Sequence, residues 1–310
     1  MHSKTPKTSV ATLTTDEHSA RKIADLIAES FAANTVAFSF VDAGRSGWLV
    51  AIHFRATPDE KVLRSLVAAA AGPKAGRALC FARVAAKDWV GASLAGLKPV
   101  TAGRFIVHGA HDRGGVAINR IGIEIEAALA FGTGHHGTTR GCLLALDRMC
   151  NSLRRGSSAP RILDLGTGSG VLAIAAARAL RRRVLATDID AEAVRVARQN
   201  ARLNRTGPMI EFVKANGIAA PAVRGRAPFD LVFANILLGP LQRLASPLTK
   251  FIAPGGRLVL SGLLTSQANA ALAAYRLPLE RRIEVDGWTT LVLKRGFQPR
   301  YVVAHRLRRS

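Results

Sequence analysis

The sequence predicts an α/β protein in which a Rossmann-like, doubly wound domain follows a small ferredoxin-like α+β domain. Within the first 85 residues, strand and helix signals come in the order β-α-β-β-α-β, which is the ferredoxin-like arrangement. From about residue 104 onward, short apolar strands alternate with helix-like segments. Alternation of this kind predicts a parallel sheet with helices on both faces.

The N-terminal elements follow from strand patterning and helix-start signals. Thr14 with Glu17, and Thr57 with Glu60, have the spacing of capping boxes and predict two helix starts. Two of the strands flank a turn that contains Gly44 and Gly47, which predicts a hairpin. The strand-like segments are 8–13, 35–43, 47–56 and 77–85.

The character of the chain changes after residue 85. Residues 86–103 contain several glycines and Pro99 after a short helical stretch around Trp89, and we interpret them as a linker. We therefore predict a ferredoxin-like domain at 1–85, a linker at 86–103, a second, larger domain at 104–296 and a basic tail at 297–310.

The second domain repeats a strand-then-helix pattern. A tight glycine loop enters a helix near Thr138–Thr139, and a Pro254–Gly256 turn leads into a late strand. The final segment, 281–295, resembles a strand pair that closes a sheet edge. Strands are predicted at 104–109, 115–126, 161–165, 182–188, 210–214, 229–235 and 257–264, and helices at about 171–180, 190–204 and 240–251.

A glycine-rich turn and a second acidic strand end indicate a nucleoside site. The strand that ends near Asp164 runs into Gly166, Gly168 and Gly170 and then a helix, so backbone N–H groups face a ligand. A dinucleotide fingerprint would need a third glycine where Val171 stands. The next strand closes at Asp188, where a carboxylate can accept both ribose hydroxyls. Both features together favour an adenosyl-type cofactor over an ordinary strand-to-helix turn.

Composition excludes several classes of protein. With 310 residues, 48% of them hydrophobic, the chain can form two cores and is not globally disordered. No apolar run is long enough to cross a bilayer and the first residues show no signal peptide, so we expect a cytoplasmic protein without a membrane partner. Three cysteines without C-x-x-C spacing predict neither a disulfide framework nor a zinc site.

The net charge is +23, and residues 91–310 carry +19 of it, with 32 Lys and Arg against 13 Asp and Glu. Such a charge attracts polyanions, and RNA or the ribosome is the natural candidate. The alternative is an arginine-biased proteome whose surface positions drift to arginine.

Four motifs carry a family resemblance: AFGTGHHGTT, DLGTGSGVLAIAA, DIDAEAVRVARQNARLN and ANILLGPLQRLA, at 130–139, 164–176, 188–204 and 234–245. Together they resemble the PrmA family, class I methyltransferases that use S-adenosyl-L-methionine to modify large-subunit ribosomal protein eleven. The resemblance implies methylation of lysine side-chain and/or N-terminal amines of that protein, free or on the ribosome. It also implies that the N-terminal domain recognises the substrate, and we expect a monomer.

The resemblance places a catalytic role on Asn235 and cofactor contacts on six residues. Thr139 would cover the methionine or ribose side, and Asp188 would accept the ribose hydroxyls. Adjacent His135 and His136 have no ligands at metal spacing, so we predict no metal site and a loop role for them. The six cofactor residues are Phe131, Thr139, Gly166, Gly168, Asp188 and Asn235.

The residues after Asn235 bear on the substrate. Methyltransferases that act on planar amino groups typically have Asn-Pro-Pro-aromatic here, and this chain has Asn235-Ile236-Leu237-Leu238. An aliphatic amine therefore fits better than a base. Two alternatives stay open: a ribosomal RNA methyltransferase, and a non-catalytic ribosome-assembly factor that keeps the cofactor pocket as a vestige.

Overall fold

The computed structural model describes residues 7–30, 36–42, 47–54, 57–85, 99–125, 137–155 and 159–296. The chain divides into two compact units, Met1–Gly96 and Leu97–Ser310. Most of the predicted linker, the hairpin turn at 43–46 and the basic tail at 297–310 lie outside the described residues, so these assignments stay predictions.

The first unit has a four-stranded antiparallel sheet in the order β2-β3-β1-β4, which is the ferredoxin-like order. Apolar side chains of its two longer helices, among them Ile23 and Leu63, pack on strand residues such as Ile52 to form the core. The elements are β1 (Lys7–Thr15), α1 (Glu17–Ser30), β2 (Val36–Asp42), β3 (Trp48–Phe54), α2 (Glu60–Ala71), α3 (Pro73–Ala78) and β4 (Cys80–Ala85).

The two predicted capping boxes are wrong in detail. Asp16, and not Thr14, accepts the N–H of Ser19 at the start of α1, at 2.9 Å. Asp59 caps α2 by accepting the N–H groups of Lys61 and Val62. An aspartate side chain accepts these hydrogen bonds and also places a negative charge at the positive end of the helix. Aspartate is therefore a better N-cap here than the nearby threonine.

The second unit begins with a three-stranded sheet in the order β5-β6-β7. Its strands are β5 (Val100–Ala102), β6 (Phe105–His108) and β7 (Ile121–Glu124). The predicted linker extends too far, because β5 falls inside it. Gly103, with φ of 57°, allows a tight turn, and β5 pairs antiparallel with β6 and buries Ala102.

The main sheet has seven strands in the order β10-β9-β8-β11-β12-β14-β13. Its first five strands are parallel, and the last two form the antiparallel hairpin that the sequence predicts at the edge. The strands are β8 (Ile162–Leu165), β9 (Val184–Asp188), β10 (Ile210–Lys214), β11 (Phe229–Asn235), β12 (Ile252–Leu264), β13 (Leu279–Val285) and β14 (Trp288–Lys294). The predicted turn at 254–256 lies within β12, where its pairing with β11 shifts register.

Helices cover both faces of this sheet, as a doubly wound fold requires. One core contains side chains of α4, α5 and α6, and the other contains those of α7, α8 and α9. No described helix is long and apolar enough to cross a bilayer. The helices are α4 (Gly137–Arg155), α5 (Val171–Leu180), α6 (Ala191–Leu203), α7 (Pro221–Arg224), α8 (Leu238–Lys250) and α9 (Ala268–Tyr275).

Candidate cofactor site

The carboxyl ends of β8, β9 and β11 meet at one edge of the seven-stranded sheet. The chain passes from β8 through β9 to β10 on one side and then returns to β11 on the other. Strand order therefore reverses between β8 and β11. In open α/β sheets, ligands bind outside the carboxyl ends of the strands at such a reversal.

The glycine turn after β8 occupies this point. Gly166, Gly168 and Gly170 have φ of 71°, 54° and 83°, a conformation that favours glycine. The N–H groups of Gly166 and Thr167 both donate to the carbonyl oxygen of Thr187, at 2.8 and 2.9 Å. These bonds fix the turn against the end of β9.

Asp188, the last residue of β9, is held by backbone donors on both sides. One carboxylate oxygen accepts the N–H of Gly168 at 2.9 Å, and the other accepts the N–H of Asp190 at 3.0 Å. A carboxylate has about four acceptor positions, so two remain for hydroxyl groups of a ligand. The glycine turn and Asp188, which the sequence predicts at one nucleoside site, are therefore in direct contact.

Asp164 lies beneath the turn and is 1% exposed. Its Oδ2 accepts the Thr167 hydroxyl at 2.6 Å and the N–H of Ala173 at 3.1 Å. Burial raises the pKa of the Asp164 carboxyl to about 6. The two hydrogen bonds favour the charged form and oppose this shift. Its other oxygen, Oδ1, is buried without a hydrogen-bond partner among the described residues.

Asn235 ends β11, and the residue after it lies between two glycines. A methyl group on Gly166 would stand 2.5 Å from Cγ2 of Ile236, and one on Gly262 would stand 2.4 Å from the Ile236 carbonyl oxygen. Asn235 itself is half-buried and pairs in register with Ser261. Two close glycine contacts therefore fix the path of the chain immediately after Asn235.

The start of α4 is tied to the same edge through Ser261. The Ser261 hydroxyl donates to the carbonyl oxygen of Thr138 at 3.1 Å and lies 2.9 Å from Oγ1 of Thr290. Thr139 is fully buried, and its hydroxyl has no hydrogen-bond partner among the described residues. The structure thus brings the start of α4, next to Thr139, close to the end of β11 and Asn235.

Sequence analysis missed two asparagines that support the site, one on α6 and one directly after its last residue. The Asn200 side-chain amide donates to the carbonyl oxygen of Ser169 in the glycine turn, at 2.8 Å. One helical turn later, Asn204 accepts the N–H of Glu124 at 2.9 Å and donates to its carbonyl oxygen at 2.6 Å. Both lie in the quoted motif at 188–204, but only tertiary contacts show what they hold.

Glu124 is also fixed by a two-point ion pair. Both of its carboxylate oxygens accept from the Arg113 guanidinium, at 2.6 and 2.7 Å. This pairing lowers the pKa of the Glu124 carboxyl. The end of β7 is consequently anchored through both its backbone and its side chain.

These residues fit S-adenosylmethionine. Gly166 has no side chain to shield the backbone of the turn, and Asp188 has free acceptor positions. Among the described residues, the Thr139 hydroxyl and Asp164 Oδ1 are buried without a hydrogen-bond partner. Individual contacts of Thr139, Gly166, Gly168, Asp188 and Asn235 with the cofactor stay predictions. Phe131, His135 and His136 lie outside the described residues.

Within the described ranges, no group of three or more His, Cys, Asp or Glu is arranged to hold a metal ion. Cys142 and Cys150 are buried and Cys80 is exposed. Burial raises the pKa of Cys142 to about 12, which leaves it a protonated thiol at neutral pH.

Comparisons with known proteins point to one family. Residues 12–296 match the family model described as ribosomal protein L11 methyltransferase (PrmA). A protein of that name from Rhodopseudomonas palustris is 52% identical over 286 residues, covering 91% of this chain and 95% of the relative. One from Bradyrhizobium diazoefficiens is 52% identical over 283 residues, covering 90% and 94%.

A solved structure also resembles this one. The crystal structure of ribosomal protein L11 methylase from Lactobacillus delbrueckii subsp. bulgaricus is 28% identical, with a TM-score of 0.56. The match covers 64% of this chain and all of that one. With a family model over most of the chain and relatives at 52% identity, this chain belongs to the ribosomal protein L11 methyltransferase (PrmA) family.

Proposed function

We propose that the protein transfers methyl groups from S-adenosylmethionine to lysine side-chain and/or N-terminal amines of ribosomal protein L11. Membership of the family supports the substrate protein. The observation that carries the chemistry is the position of Asn235 beside the glycine turn. The next residue, Ile236, lies so close to this turn that a methyl group on Gly166 would stand 2.5 Å from its Cγ2. Because Asn235 ends β11 directly beside the cofactor turn, we propose that it acts on the substrate amine.

The cofactor would be held by the turn and by Asp188. Backbone at Gly166 and Gly168 gives close approach, the free acceptor positions of Asp188 take ribose hydroxyls, and the Thr139 hydroxyl is available on the opposite side. When bound, S-adenosylmethionine supplies an electrophilic methyl group on a positively charged sulfur. The protein then has mainly to position the acceptor, and orientation can contribute about 7–11 kcal/mol.

Asn235 would orient the incoming amine through its side-chain oxygen. Residues 231–240 contain no His, Asp, Glu or Lys, so no neighbour along the chain can act as a general base. A lysine amine has an ordinary pKa near 10.4 and must lose a proton before it reacts. We infer that water accepts that proton while Asn235 and nearby carbonyl groups hold the lone pair in line.

The aliphatic residues after Asn235 favour an amine over a planar base. Ile236, Leu237 and Leu238 are half-buried and offer no ring on which a nucleobase could stack. Ribosomal RNA methylation is the second candidate, because residues 91–310 carry +19 of the net charge. A non-catalytic assembly factor is the third, and the preserved contact between Asp188 and the glycine turn argues against it.

Methylation of L11 and of RNA can be separated in one experiment. The purified protein is incubated with radiolabelled S-adenosylmethionine and with either L11 or protein-free ribosomal RNA from an unmethylated strain, and the label is located by mass spectrometry. Label on L11 amines supports the proposal. Label on RNA overturns the substrate, and cofactor binding without any label supports the non-catalytic reading.

Asn235→Ala tests the positioning role within the same assay. We expect turnover to fall about 10- to 100-fold, the effect of losing one hydrogen bond worth about 1.5–3 kcal/mol, with a smaller change in cofactor affinity. The matched control is Asn151→Ala, an exposed residue on α4. Unchanged turnover in Asn235→Ala, with wild-type cofactor affinity, would refute the role.

A further inference from the structure

We propose that the amino edge of the seven-stranded sheet, opposite the cofactor site, binds the phosphate backbone of double-helical RNA. This inference deepens the proposed function, since a substrate on the ribosome is surrounded by ribosomal RNA. It rests on where the structure places the excess positive charge. It does not depend on which amines are methylated.

Exposed cations gather where helices end and strands begin. Arg155 ends α4, Arg161 precedes β8, and the run Arg181–Arg183 joins α5 to β9. Because β8, β9, β10 and β11 are parallel neighbours, their first residues lie along one edge. The exposed cations near that edge, which we call the arginine edge, are Arg155, Arg161, Arg181, Arg182, Arg183, Arg202, Arg205, Arg224, Arg226, Lys250 and Arg276.

Few carboxylates balance this charge. Arg226 pairs with Glu211, and Asp230 accepts the backbone N–H of Arg161 at 2.7 Å. Within the described part of the chain, no salt bridge engages Arg181, Arg182 or Arg183. Most of the cations of the arginine edge are therefore available to an external anion.

Helix-dipole compensation explains only part of the pattern. A cation in the last turn of a helix is favourable, yet Arg182 and Arg183 follow the end of α5. Arg181, Arg205 and Arg276 have φ of 53°, 56° and 52°, at helix ends where glycine is favoured. At these three helix ends, arginine therefore occupies positions whose backbone conformation favours glycine.

The cofactor edge carries both signs of charge. Asp188 and Asp190 lie at or just after the end of β9, Glu192 pairs with Arg195, and the exposed Lys214 ends β10. The unbalanced positive charge is therefore concentrated at the arginine edge, and a polyanion is attracted there. Binding there leaves the methyl-transfer site open to a protein substrate.

The shape of the surface favours a double helix. Four strand starts spaced about 4.8 Å apart extend over about 15 Å, long enough to contact several successive phosphate groups of one backbone. Single strands are usually held by stacking on aromatic side chains. None of the exposed large hydrophobic side chains in the described ranges is aromatic. Recognition of the backbone of duplex RNA needs only cations and shape.

Fluorescence anisotropy with a labelled 20-base-pair RNA duplex, titrated at several salt concentrations, tests the proposal. We expect Arg181→Gln/Arg182→Gln/Arg183→Gln to weaken binding at least tenfold and to reduce the slope of log K against log salt by about 2–3, near 0.9 for each phosphate contact. The matched control, Arg148→Gln/Arg243→Gln/Arg281→Gln, removes the same charge from exposed positions within α4, α8 and β13. We expect it to weaken binding less than threefold.

A second triple, Arg155→Gln/Arg161→Gln/Arg202→Gln, decides the matter if the first does not fold. Equal weakening by edge and control triples, tighter binding of single-stranded RNA, or binding to anionic vesicles and not to duplex RNA would overturn the proposal. The assay contains neither cofactor nor L11, so its outcome is separate from the methylation assay. Methylation of free L11 should stay unchanged in the edge variants.

Discussion

The side-chain amide of Asn200 donates a hydrogen bond to the carbonyl oxygen of Ser169, at 2.8 Å, between two residues that are both fully buried. Ser169 stands between Gly168 and Gly170 in the turn after β8, and Asn200 lies on the helix after β9. The bond therefore ties the two halves of the candidate cofactor site together. One helical turn later, the side chain of Asn204 makes two hydrogen bonds with the backbone of Glu124 and so connects the site to the end of β7.

We expect Asn200→Ala to lower the free energy of unfolding by about 1–3 kcal/mol, because a buried carbonyl loses a donor. It should also weaken S-adenosylmethionine binding, since the glycine turn loses a support. Chemical denaturation and calorimetric titration measure the two effects. Gln199→Ala, an exposed neighbour on the same helix, is the control. A variant with wild-type stability and cofactor affinity would contradict this role.

Gly262→Ala should impair turnover more than folding. The added methyl would stand 2.4 Å from the Ile236 carbonyl oxygen, and the φ of 83° disfavours alanine. Backbone at Ile236 must then move, and Asn235 moves with it. We expect turnover to drop about tenfold or more, with a smaller change in cofactor affinity. Gly207→Ala is the matched control, because its added methyl group would stand 3.9 Å from the side chain of Arg202, an ordinary contact distance. Equal kinetics in the two variants would show that Gly262 has no positioning role.

Asp188→Asn should weaken cofactor binding about 10- to 100-fold, because a charged acceptor of hydroxyl groups becomes a neutral one. Asp190→Asn is the control. Its carboxylate caps α6 by accepting the N–H of Glu192 at 2.9 Å, and asparagine caps helices equally well. Calorimetric titration with S-adenosylmethionine compares the two. Similar affinities of both variants for S-adenosylmethionine would show that Asp188 does not bind the cofactor.

The buried Asp164 makes the cofactor-free protein less stable as pH rises. Its pKa is raised from 3.8 to about 6, so between these values the folded state binds more protons than the unfolded state. By linkage this contribution falls with increasing pH, by a total of about 3 kcal/mol, and is constant above about pH 7. Asp164→Asn lacks it. The stability difference between variant and wild type should therefore change by most of that amount from pH 4 to pH 7 in denaturation experiments. A difference independent of pH would show that Asp164 does not titrate in this range.

Most of the catalytic-domain elements could be predicted because each strand there is a short apolar run next to a turn signal. Segments 210–214 and 229–235 have the predicted bounds in the structure. Helix α9 was not predicted, since ANAALAAY is short and almost uniformly apolar and shows no helical face. Strand β5 was missed for a related reason: three residues carry too little pattern, and its pairing with β6 across Gly103 decides its conformation.

The parts of the candidate site that depend on distinctive residues could be predicted from the sequence. The parts that depend on tertiary contacts of common residues could not. Glycines in a turn and an aspartate at a strand end are visible in a sequence. Asn200 and Asn204 look like polar positions on an amphipathic helix, because their partners are 31 and 80 residues away. Gly262 is likewise inconspicuous until the backbone of Ile236 is seen beside it.

The interior position of β14 affects the order in which a nascent chain can fold. This strand, made after every other strand of the sheet, lies between β12 and β13 and pairs with both. Until it is synthesised, β12 has an open edge and β13 has no place in the sheet. An open apolar strand edge promotes association with other chains. Translation that stops before residue 288 should therefore yield an aggregation-prone product, although the glycine turn, Asp188 and Asn235 have already been made.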